Sequence, residues 1–486
     1  MTDYKQLYIG GEWVDPAGSD RFEVVNPATL EVIGSVPEGT KADVDRAVAA
    51  ARAALETGPW AGATKAERLE VMRSLQAKLL EASDELANLV TDEVGATILF
   101  SHFGQIGATN MVLDAYVKVL EEFEFEELRQ DILGPAIVRK EPVGVVAGII
   151  PWNVPLFISM LKFAPTLASG STMVLKPAPD TPLSAFRFAE LAQEAGVPAG
   201  VLNIVPADRE VSEYLVRHPD VDKVSFTGST AAGRKIGAIC GEQLKRCTLE
   251  LGGKSAAILL DDVDIDGIAD ELLSAGIMNN GQACVAQTRV LAPQSRYDEI
   301  VGVLTEKMAA QVVGDPTDFG TNVGPLINEA QRDRVEGYIQ VGADEGARVA
   351  VGGGRPGTDQ QGWFVEPTLL VDVTNDMRVA QEEIFGPVVS VISYDDVDDA
   401  VRIANDSDYG LSGSVWGADV DAALDVARRV RTGTYGVNMY GMAFGSPFGG
   451  YKQSGLGREL GPEGLEEFLE YKTINLPAGT EPELKY

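Results

Sequence analysis

The feature that most constrains the fold is an alternation of short apolar runs with helical patterns, which begins near residue 143. The apolar runs are rich in β-branched residues and read VGVVAGII, TMVLK, VLNIV, KVSF and SAAILL. Helical patterns lie between them at 155–169, 182–195 and 230–243. Because strands that alternate with helices form βαβ units, this part of the chain predicts a doubly wound domain built on a parallel sheet.

A second alternation follows residue 254 and predicts a second α/β domain. Its helical patterns lie at 264–279, 296–312, 328–346, 396–406 and 420–432, and its strand candidates lie at 288–293, 365–370, 387–394 and 412–416. The chain of 486 residues also exceeds the roughly 250–300 residues that one hydrophobic core usually supports. Amphipathic patterns at 42–57 and 65–92 predict that the N-terminal part opens with helices.

Two segments interrupt this order and indicate a projecting arm. Residues 118–133 (KVLEEFEFEELRQDIL) are acidic and alternating, and the tail 467–486 contains EYKTINL. Short strands at such positions often project from a domain and pair with another subunit, because an unpaired strand edge is a template for pairing. We therefore expect a small β arm and a homo-oligomer, either a dimer or a tetramer.

The charge balance argues against two classes of partner. The chain carries 40 Lys and Arg against 73 Asp and Glu, which gives a net charge of −33. Such a field repels nucleic acid and anionic membrane surfaces, so neither is an expected partner. The sequence shows no apolar stretch of about 18 uncharged residues that is free of Pro and Gly interruptions, and its first residues, MTDYKQLYIGGEW, lack the pattern of a secretory signal. We expect a cytoplasmic protein.

The cysteine and histidine content excludes a disulfide framework and a histidine-rich metal site. The three cysteines are Cys240, Cys247 and Cys284, and the two histidines are His102 and His218. No C-x-x-C pair is present. Reduced thiols fit a cytosolic protein, and no metal is expected.

Cys284 is a candidate nucleophile, because NNGQACVAQTR at 279–289 places it directly after a Gly-Gln-Ala turn. A thiol on a sharp turn is accessible, and free backbone N–H groups beside it lower its pKa and stabilise an oxyanion. The alternative is a small buried hydrophobic residue, which is the commoner role of a free cysteine. For Cys240 and Cys247, which have Leu and Ala around them, a packing role is favoured.

Glu250 is a candidate general base. The segment TLELGGKSAAILL at 248–260 places it at the end of an apolar strand, directly before a glycine pair. A carboxylate in apolar surroundings has a raised pKa, which suits a base that works near neutral pH. The alternative is an exposed carboxylate at the end of a strand, paired with Lys254.

Further candidates follow other predicted strands. Asn153, held between two prolines in GIIPWNVPL, can donate to a developing negative oxygen or can simply form a turn. Lys176 ends TMVLK, where ligands bind in doubly wound sheets, but it could equally be a solvated lysine. In KVSFTGSTAAGRKIG at 223–237, the chain turns through Gly228 and Ser229 into a predicted helix. A helix N-terminus favours a nucleotide phosphate, although G-x-G-x-x-G is absent and an ordinary capped turn remains the alternative.

Taken together, these segments resemble the aldehyde dehydrogenase superfamily. The resemblance is carried by PWN at 151–153, KPA at 176–178, FTGST at 226–230, ELGGK at 250–254, GQAC at 281–284, EEIFGP at 382–387 and SPFGGYKQSGLGRE at 446–459. Their order and spacing match over nearly the whole chain. The resemblance implies an α/β fold with a Rossmann-like dinucleotide-binding domain at 1–121 and 142–252 and an α/β catalytic domain at 253–454. It also implies that 455–469 returns toward the cofactor domain and that an oligomerisation arm comprises 122–141 and 470–486.

The resemblance also implies the reaction and its catalytic residues. An aldehyde would be oxidised to the carboxylic acid, with Cys284 as the nucleophile and Glu250 as the base that activates the hydrolytic water. Asn153 and the backbone N–H of Cys284 would form the oxyanion site, and Glu459 would be an auxiliary carboxylate near the water and proton path. This fits the chemistry, because a thiolate adds to a carbonyl, hydride leaves for a nicotinamide ring, and the thioester that remains needs a base to hydrolyse quickly.

The implied cofactor is NAD. Lys176 would contact the adenosine ribose, Gly228 and Ser229 the pyrophosphate region, and Glu383 with Phe385 the nicotinamide ribose and ring. The remaining residues expected to line this site are Ile149, Ile150, Pro151, Trp152, Ala178, Pro179, Gly233, Leu251 and Gly252. NAD-preferring relatives often carry a Glu after KPA that repels a 2′-phosphate, whereas this chain has Pro179 followed by Asp180. We therefore expect NAD to be favoured and NADP to be tolerated.

The residues expected to line the path to Cys284 predict the substrate class. By resemblance they are Val154, Phe157, Ile158, Leu161, Ala283, Val285, Tyr440, Met442, Phe444 and Phe448. No Lys, Arg, Asp or Glu occurs in 153–161, 279–288 or 436–449. Because an anion is costly to bind in an apolar tunnel without a charged partner, we expect a neutral aliphatic, terpenoid or aromatic aldehyde.

Two alternative functions remain open from the sequence. One is a semialdehyde dehydrogenase that could transfer the acyl group to coenzyme A, although relatives of that type can do without the carboxylate at Glu250. The other is a non-catalytic scaffold or storage protein that keeps the fold. Reduction of NAD by an aldehyde separates the second from an enzyme.

Overall fold

The computed structural model describes residues 2–357 and 361–485 of the chain. Its strands are β1 (Thr2–Asp3), β2 (Leu7–Ile9), β3 (Glu12–Val14), β4 (Arg21–Val25), β5 (Val32–Pro37), β6 (Glu126–Arg129), β7 (Ala136–Pro142), β8 (Val145–Ile149), β9 (Thr172–Lys176), β10 (Leu202–Ile204), β11 (Lys223–Thr227), β12 (Arg246–Glu250), β13 (Ala256–Leu259), β14 (Arg289–Pro293), β15 (Arg348–Val351), β16 (Thr368–Val371), β17 (Val388–Tyr394), β18 (Gly413–Trp416), β19 (Gly436–Val437), β20 (Gly455–Leu456) and β21 (Leu469–Asn475).

The helices cover these sheets and connect their strands. They are α1 (Lys41–Glu56), α2 (Lys65–Glu81), α3 (Ser83–Val94), α4 (Ile98–Phe100), α5 (Ala108–Glu122), α6 (Pro155–Ser169), α7 (Leu183–Glu194), α8 (Arg209–Arg217), α9 (Thr230–Gln243), α10 (Ile265–Ile277), α11 (Tyr297–Ala309), α12 (Glu329–Asp344), α13 (Arg378–Gln381), α14 (Val397–Asn405), α15 (Val420–Arg429) and α16 (Gly461–Glu466). A π-helical segment, Ser101–Gly107, precedes α5, and short 3-10 segments lie at Met278–Gly281, Gln294–Arg296 and Lys452–Ser454.

The first large sheet has the parallel centre that the sequence predicts. Its order is β20-β12-β11-β8-β9-β10-β2-β3, and the strands from β12 to β10 are parallel. Strands β8, β9 and β11 are buried along their whole length, as expected for strands covered on both faces. In the register, Ile149 pairs with Lys176 and Thr227 pairs with Glu250. The carboxyl ends of these four strands therefore meet at one edge of the sheet.

The second large sheet has the order β15-β16-β17-β14-β13-β18-β19, and all its pairs are parallel except β15 with β16. Alternate residues of its strands enter different apolar clusters: Val388 packs on one face and Val389 on the other. The predicted α/β fold with two sheets is confirmed.

Two predicted helices match their observed bounds because local signals fix their ends. Helix α6 begins at Pro155, whose ring suits the first helical position, and is followed by Gly170 with a left-handed φ of 85°. Helix α9 follows Ser229, whose side chain accepts a hydrogen bond from the N–H of Ala232.

The prediction that the chain opens with helices is wrong, because five strands precede α1. These strands are two to six residues long, and none of them is a continuous run of five buried residues like β8, β9 and β11. Strands β2 and β3 form a hairpin through Gly10 and Gly11, which have φ values of 67° and 83°. The glycine pair is the sequence signal for this turn.

Several boundaries differ from the prediction by one to three residues, and two larger differences lie before β7. The helix predicted over 65–92 is two helices, α2 and α3, separated at Ala82. In the segment 118–133, α5 continues to Glu122 because Val117 and Leu120 pack into the core, and only β6 is a strand. Strand β6 joins β7 and β21 in a separate three-stranded antiparallel sheet.

Candidate active site

A cleft of about 300 Å³ lies at the carboxyl edge of the first sheet, where the chain leaves β8, β11 and β12. It brings together residues from both halves of the sequence. They are Pro151, Trp152, Asn153, Val154, Ile158, Thr227, Gly228, Ser229, Leu251, Gly252, Cys284, Gln331, Arg334, Glu383 and Phe385.

A second cleft of about 490 Å³ adjoins the first at Ser229. It is lined by Ile149, Lys176 and Pro179 at the ends of β8 and β9, together with residues of α8 and α9. Ser229 caps α9, a helix of 14 residues. Two clefts joined at a helix N-terminus fit a dinucleotide, because its pyrophosphate can accept hydrogen bonds from the free N–H groups there.

The nucleophile candidate, Cys284, lies after a sharply turning loop. Asn279, Asn280 and Gly281 all have left-handed φ values, between 51° and 76°. The side chain of Asn280 pins this loop by donating to the carbonyl oxygens of Gly95 (2.9 Å) and Pro325 (2.8 Å). The thiol of Cys284 is thereby held at the wall of the first cleft.

The electrostatic surroundings of this thiol differ from the prediction. Burial, followed by the carboxylates of Glu383 and Glu250, raises the pKa of Cys284. The backbone N–H groups of Cys284 and Val285 act in the predicted direction, but their effect is smaller. The prediction that the turn lowers the thiol pKa is therefore wrong in its net direction, because burial of the thiol, together with carboxylates from distant parts of the sequence, outweighs the local N–H groups.

Asn153 lines the same cleft and is held by residues around the nucleophile loop. Its side-chain amide donates to the carbonyl oxygen of Gln282 at 2.8 Å. Its backbone carbonyl accepts from the side chains of Asn279 (2.9 Å) and Gln105 (3.3 Å). The amide and the thiol of Cys284 thus have fixed positions in one cleft.

Glu250 is the last residue of β12, and its side chain is only 2% exposed. Neither carboxylate oxygen has a hydrogen-bond partner within the described ranges. Burial and the nearby Glu459 raise its pKa, against smaller opposing effects of Lys162 and Arg458. The alternative of an exposed carboxylate paired with Lys254 is wrong, and the predicted rise in pKa is borne out.

Glu459 belongs to a buried group of polar side chains, one of which, Lys162, was not predicted from the sequence. Lys162 donates to Glu459 Oε1 at 2.9 Å and to Thr227 Oγ1 at 2.8 Å. The backbone of Glu459 also pairs with that of Phe448. A signal for this group was present, since Lys162 is the only charged residue in the apolar helix α6.

Glu383 and Phe385 lie on a loop that α12 holds in place. Glu383 accepts from the N–H of Gly253 at 3.1 Å, and burial raises its pKa to about 7. Gln331 donates to the carbonyl oxygen of Phe385 at 2.7 Å, and Arg334 donates to that of Glu383. Gln331 and Arg334 were not predicted, because nothing in the local pattern distinguishes them from other polar residues of a surface helix.

An aromatic pair closes one side of the first cleft. The rings of Trp152 and Phe385 meet edge to face, with 5.3 Å between their centroids and an angle of 84°. Phe385 has a left-handed φ of 64°.

In the second cleft, burial lowers the pKa of Lys176 to about 8, with an opposing effect of Asp180. Asp180 itself accepts from the side chain of Asn328 at 3.0 Å. Three predicted cofactor residues line neither cleft: Ile150, Ala178 and Gly233. Gly233 lies so close to Leu251 that a Cβ would come within 2.4 Å of its side chain, so packing explains this glycine.

The predicted substrate residues are divided between cleft and core. Val154 and Ile158 line the first cleft, whereas Phe157, Leu161 and Phe448 are buried in the apolar core. The pKa of Tyr440 is raised by burial and by the neighbouring Cys284.

Four further predicted substrate residues do not line the first cleft. Val285, Met442 and Phe444 are partly buried against the same core, and Ala283 is partly buried. Phe444 also lines a separate cleft of about 690 Å³ along α5, together with Met111 and Ala115.

Two features of the described residues bear on other functions. Residues 2–357 and 361–485 contain no cluster of three or more His, Cys, Asp or Glu side chains placed to hold a metal ion. In the same ranges, no helix has the length and apolar content needed to cross a membrane.

Comparison with known proteins assigns the chain to a family. The profile of the Aldehyde dehydrogenase family matches residues 13–474. The geranial dehydrogenase of Castellaniella defragrans is 46% identical over 475 residues, covering 98% of this chain and 99% of that protein.

Solved structures agree with this assignment. The aldehyde dehydrogenase of Mycobacterium tuberculosis in complex with NAD⁺ superimposes with a TM-score of 0.98 at 49% identity, covering 99% of this chain and 100% of the other. A mutant of aldehyde dehydrogenase C from Pseudomonas syringae, solved with NAD⁺ and octanal, gives a TM-score of 0.95 at 40% identity, with coverages of 99% and 98%. The predicted Rossmann-like α/β fold and the NAD cofactor are confirmed, and the scaffold alternative is set aside. This chain belongs to the aldehyde dehydrogenase family and is an NAD(P)-dependent aldehyde dehydrogenase.

Proposed function

We propose that the chain oxidises a neutral, medium-sized aldehyde to the free carboxylic acid, with Cys284 as the nucleophile and Glu250 as the base. One observation carries this proposal. The thiol of Cys284 lies in a cleft that joins a dinucleotide-sized groove, and it is close enough to the buried Glu250 for that carboxylate to raise its pKa. Bound NAD⁺ supplies the hydride acceptor.

The first role is addition to the aldehyde. The thiolate of Cys284 attacks the carbonyl carbon, and the negative charge develops on the carbonyl oxygen. The side-chain amide of Asn153 and the N–H of Cys284 are the donors that stabilise this oxygen, and both are held in position by the nucleophile loop. After hydride leaves, the acyl group remains on Cys284 as a thioester.

The second role is hydrolysis of that thioester. Because both oxygens of Glu250 lack a protein partner among the described residues, they are available to accept a proton from water. The raised pKa suits a base that works near neutral pH. Because a buried carboxylate that can accept a proton activates water, it favours water over coenzyme A as the acyl acceptor. Glu459, held by Lys162, is proposed as the auxiliary carboxylate next to this base.

The dinucleotide would lie across the two adjoining clefts. Lys176 and Pro179 would face the adenosine half, Gly228 and Ser229 the pyrophosphate, and Glu383 with Phe385 the nicotinamide half. Ile149, Pro151, Trp152, Leu251 and Gly252 line the same clefts. For Ile150, Ala178 and Gly233 we propose a supporting role behind the clefts.

We propose that NADP is accepted together with NAD. The adenosine cleft contains Arg209 and Lys235, whereas Asp180 turns to Asn328 outside it. The charges within the cleft are mixed, because Asp208 and Glu213 also line it. Two cations within reach of a 2′-phosphate, at a site where Pro179 carries no charge, support tolerance of the phosphorylated cofactor.

The apolar lining of the site and the names of two relatives indicate the same class of substrate, a neutral apolar aldehyde. The segments 153–161, 279–288 and 436–449 contain no charged residue. One close relative is named for geranial, and another was solved with octanal. We therefore propose an unbranched or terpenoid aldehyde of this size, lying along Val154 and Ile158 toward Ala283, Val285 and Met442, with Phe157, Leu161 and Phe448 packed behind them.

A panel of aldehydes tests this proposal. Initial rates of NADH and NADPH formation are measured with octanal, geranial, benzaldehyde and succinic semialdehyde, with and without coenzyme A. The proposal predicts the highest kcat/KM for octanal or geranial and no dependence on coenzyme A. A preference for the semialdehyde, or a requirement for coenzyme A, contradicts it and favours the acylating alternative.

We further propose that the chain is a cytoplasmic homo-oligomer with the domain limits 1–121 and 142–252, 253–454, and 122–141 with 470–486. The three-stranded sheet of β6, β7 and β21 supports the arm. Ile132 and Leu133, at the turn between β6 and β7, are 96% and 88% exposed. Such apolar residues on a projecting hairpin fit an interface with another subunit, either in a dimer or in a tetramer. The three free cysteines support the cytoplasm.

A further inference from the structure

A small cavity lies next to Lys254, directly after the glycine pair that follows Glu250, and it shares no residue with the two clefts. Its volume of about 10 Å³ can hold one ion or molecule about the size of water. The residues around it come from the start of β13, from β14, and from the segments before and after α15. They are Lys254, Ser255, Ala256, Arg289, Ala404, Tyr409, Gly410, Leu411, Ser412, Val430, Thr432 and Tyr435.

Three hydrogen-bond donors at this cavity have no partner within the described ranges. They are the ammonium nitrogen of Lys254, the hydroxyl of Ser255 and the hydroxyl of Tyr435. Lys254 is 2% exposed and Ser255 is 4% exposed. Because a buried donor without an acceptor is costly, three of them around one cavity indicate a missing acceptor.

The cavity also has two buried cations beside it, neither of which is in direct contact with a carboxylate within the described ranges. The guanidinium of Arg289 is buried and donates to the carbonyl oxygens of Lys254, Ile403 and Ala404 and to the side chain of Asn375. Among the described residues, neither Lys254 nor Arg289 forms an ion pair with a carboxylate. Burial and the proximity of Arg289 lower the pKa of Lys254 to about 7.

The carboxylates in the neighbourhood are engaged elsewhere. Glu383 accepts from the N–H of Gly253, and Glu382 accepts from Arg378 and Tyr338. Asp406, which faces Arg289 from farther away, accepts from the side chain of Asn375.

Two of the carbonyl groups that border the cavity each accept two hydrogen bonds already. Gly410 O accepts from the N–H groups of Gly433 and Tyr451. Leu411 O accepts from the N–H and the hydroxyl of Thr434. These oxygens already have donors, so they do not replace the acceptor that Lys254, Ser255 and Tyr435 lack.

We propose that this cavity binds a small monovalent anion of the halide type, held by Lys254, Ser255 and Tyr435 and by the positive charge of Arg289. Such an ion is the acceptor that all three donors lack, and its single negative charge offsets part of the charge of the two buried cations. A halide is larger than water, and the flexible end of the Lys254 side chain can move to admit it. Because the site lies directly after Gly253, the anion would stabilise the loop that follows Glu250 and whose Gly253 N–H holds Glu383.

Crystallography with bromide tests the site directly. Crystals of the full chain are soaked in sodium bromide, and anomalous differences are collected at the bromine edge. We expect a peak between Lys254 Nζ, Ser255 Oγ and Tyr435 Oη. A water molecule at this position without an anomalous peak would overturn the proposal and indicate that Lys254 is neutral.

Thermal unfolding measures the same binding in solution. We expect the melting temperature to rise in a saturable manner by about 2 °C or more in sodium chloride relative to sodium gluconate of equal ionic strength. Tyr435→Phe and Ser255→Ala, which keep the shape of the cavity but remove one donor each, should reduce this rise.

Tyr394→Phe is the matched control, because its hydroxyl is buried in the same part of the chain but donates to Leu259 O at 2.6 Å. This variant should keep the full response to chloride. An equal response in Tyr435→Phe and in Tyr394→Phe, or no response of the unsubstituted protein, contradicts the proposal. If Lys254→Met does not fold, the two milder variants still decide the question.

Discussion

The ammonium nitrogen of Lys162 lies 2.9 Å from Oε1 of Glu459, and both side chains are buried beside Glu250. The two have opposite effects on the base, since Glu459 raises the pKa of Glu250 and Lys162 lowers it. The protonation of the Glu250 carboxyl group therefore depends on Lys162 of α6 and on Glu459, which lies after β20. This relationship gives the first prediction.

Replacing Glu459 with Gln should make Glu250 a working base at lower pH. The substitution removes a negative charge, so the pKa of Glu250 falls and its carboxylate form persists further into the acid range. The rate of deacylation, measured in single turnovers across pH, should have its acid limb displaced toward lower pH. Glu463→Gln, on the exposed face of α16, is the control and should leave the limb unchanged. An unmoved limb in Glu459→Gln contradicts the coupling.

Replacing Glu250 with Gln should separate the two halves of the reaction. Hydride transfer needs only the thiol and its oxyanion donors, so one equivalent of NADH per active site should form rapidly. Deacylation lacks its base, and steady-state turnover should fall by about 10²–10⁴-fold. Stopped-flow absorbance at 340 nm measures both phases. Unchanged turnover would remove Glu250 from the role of base.

Replacing Glu383 with Gln should make the thiol of Cys284 more reactive in the absence of cofactor. The Glu383 carboxylate is one of the groups that raise the thiol pKa, so its removal lowers that pKa and increases the thiolate fraction at pH 8. The rate of alkylation by iodoacetamide should rise in the variant, and in both proteins it should increase with pH. Glu382→Gln is the control, because Glu382 contacts Arg378 and Tyr338 instead. Equal alkylation rates in the two variants would contradict the electrostatic assignment.

Replacing Cys284 with Ala should abolish oxidation without loss of cofactor binding. NADH formation should fall at least about 10⁴-fold, because the covalent route is removed. The dissociation constant for NAD⁺, measured by fluorescence titration, should change little. Cys247→Ser, which changes a thiol at the start of β12, should stay active. Retained oxidation in Cys284→Ala would exclude this residue as the nucleophile.

The sequence predicts most of the framework because local signals agree with the global fold. The end signals at Pro155, Gly170 and Ser229 determine α6 and α9, and continuous apolar runs identify the buried strands β8, β9 and β11. The first five strands were missed because none of them is a continuous run of five buried residues. The break at Ala82 was missed as well, since the flanking residues continue the helical pattern.

The sequence predicts which residues form the site, but it does not predict the direction in which the pKa of Cys284 shifts. Cys284, Glu250 and Asn153 stand in motifs, and the structure brings all three to one region of the molecule. The pKa of the thiol depends on burial and on carboxylates that the fold brings from other segments, so the turn alone predicts the wrong direction. Gln331 and Arg334 were not predicted for a similar reason. Both donate hydrogen bonds to a loop about 50 positions away in the sequence, and only the fold places that loop beside α12.

The most direct measurement is mass spectrometry of the acylated enzyme. The Glu250→Gln variant is mixed with NAD⁺ and octanal, quenched in acid, digested and analysed for acyl groups. The account predicts an octanoyl group on the peptide that contains Cys284, absent when NAD⁺ is omitted. An unmodified Cys284 after NADH has formed, or acylation of Cys240 or Cys247 instead, would contradict it.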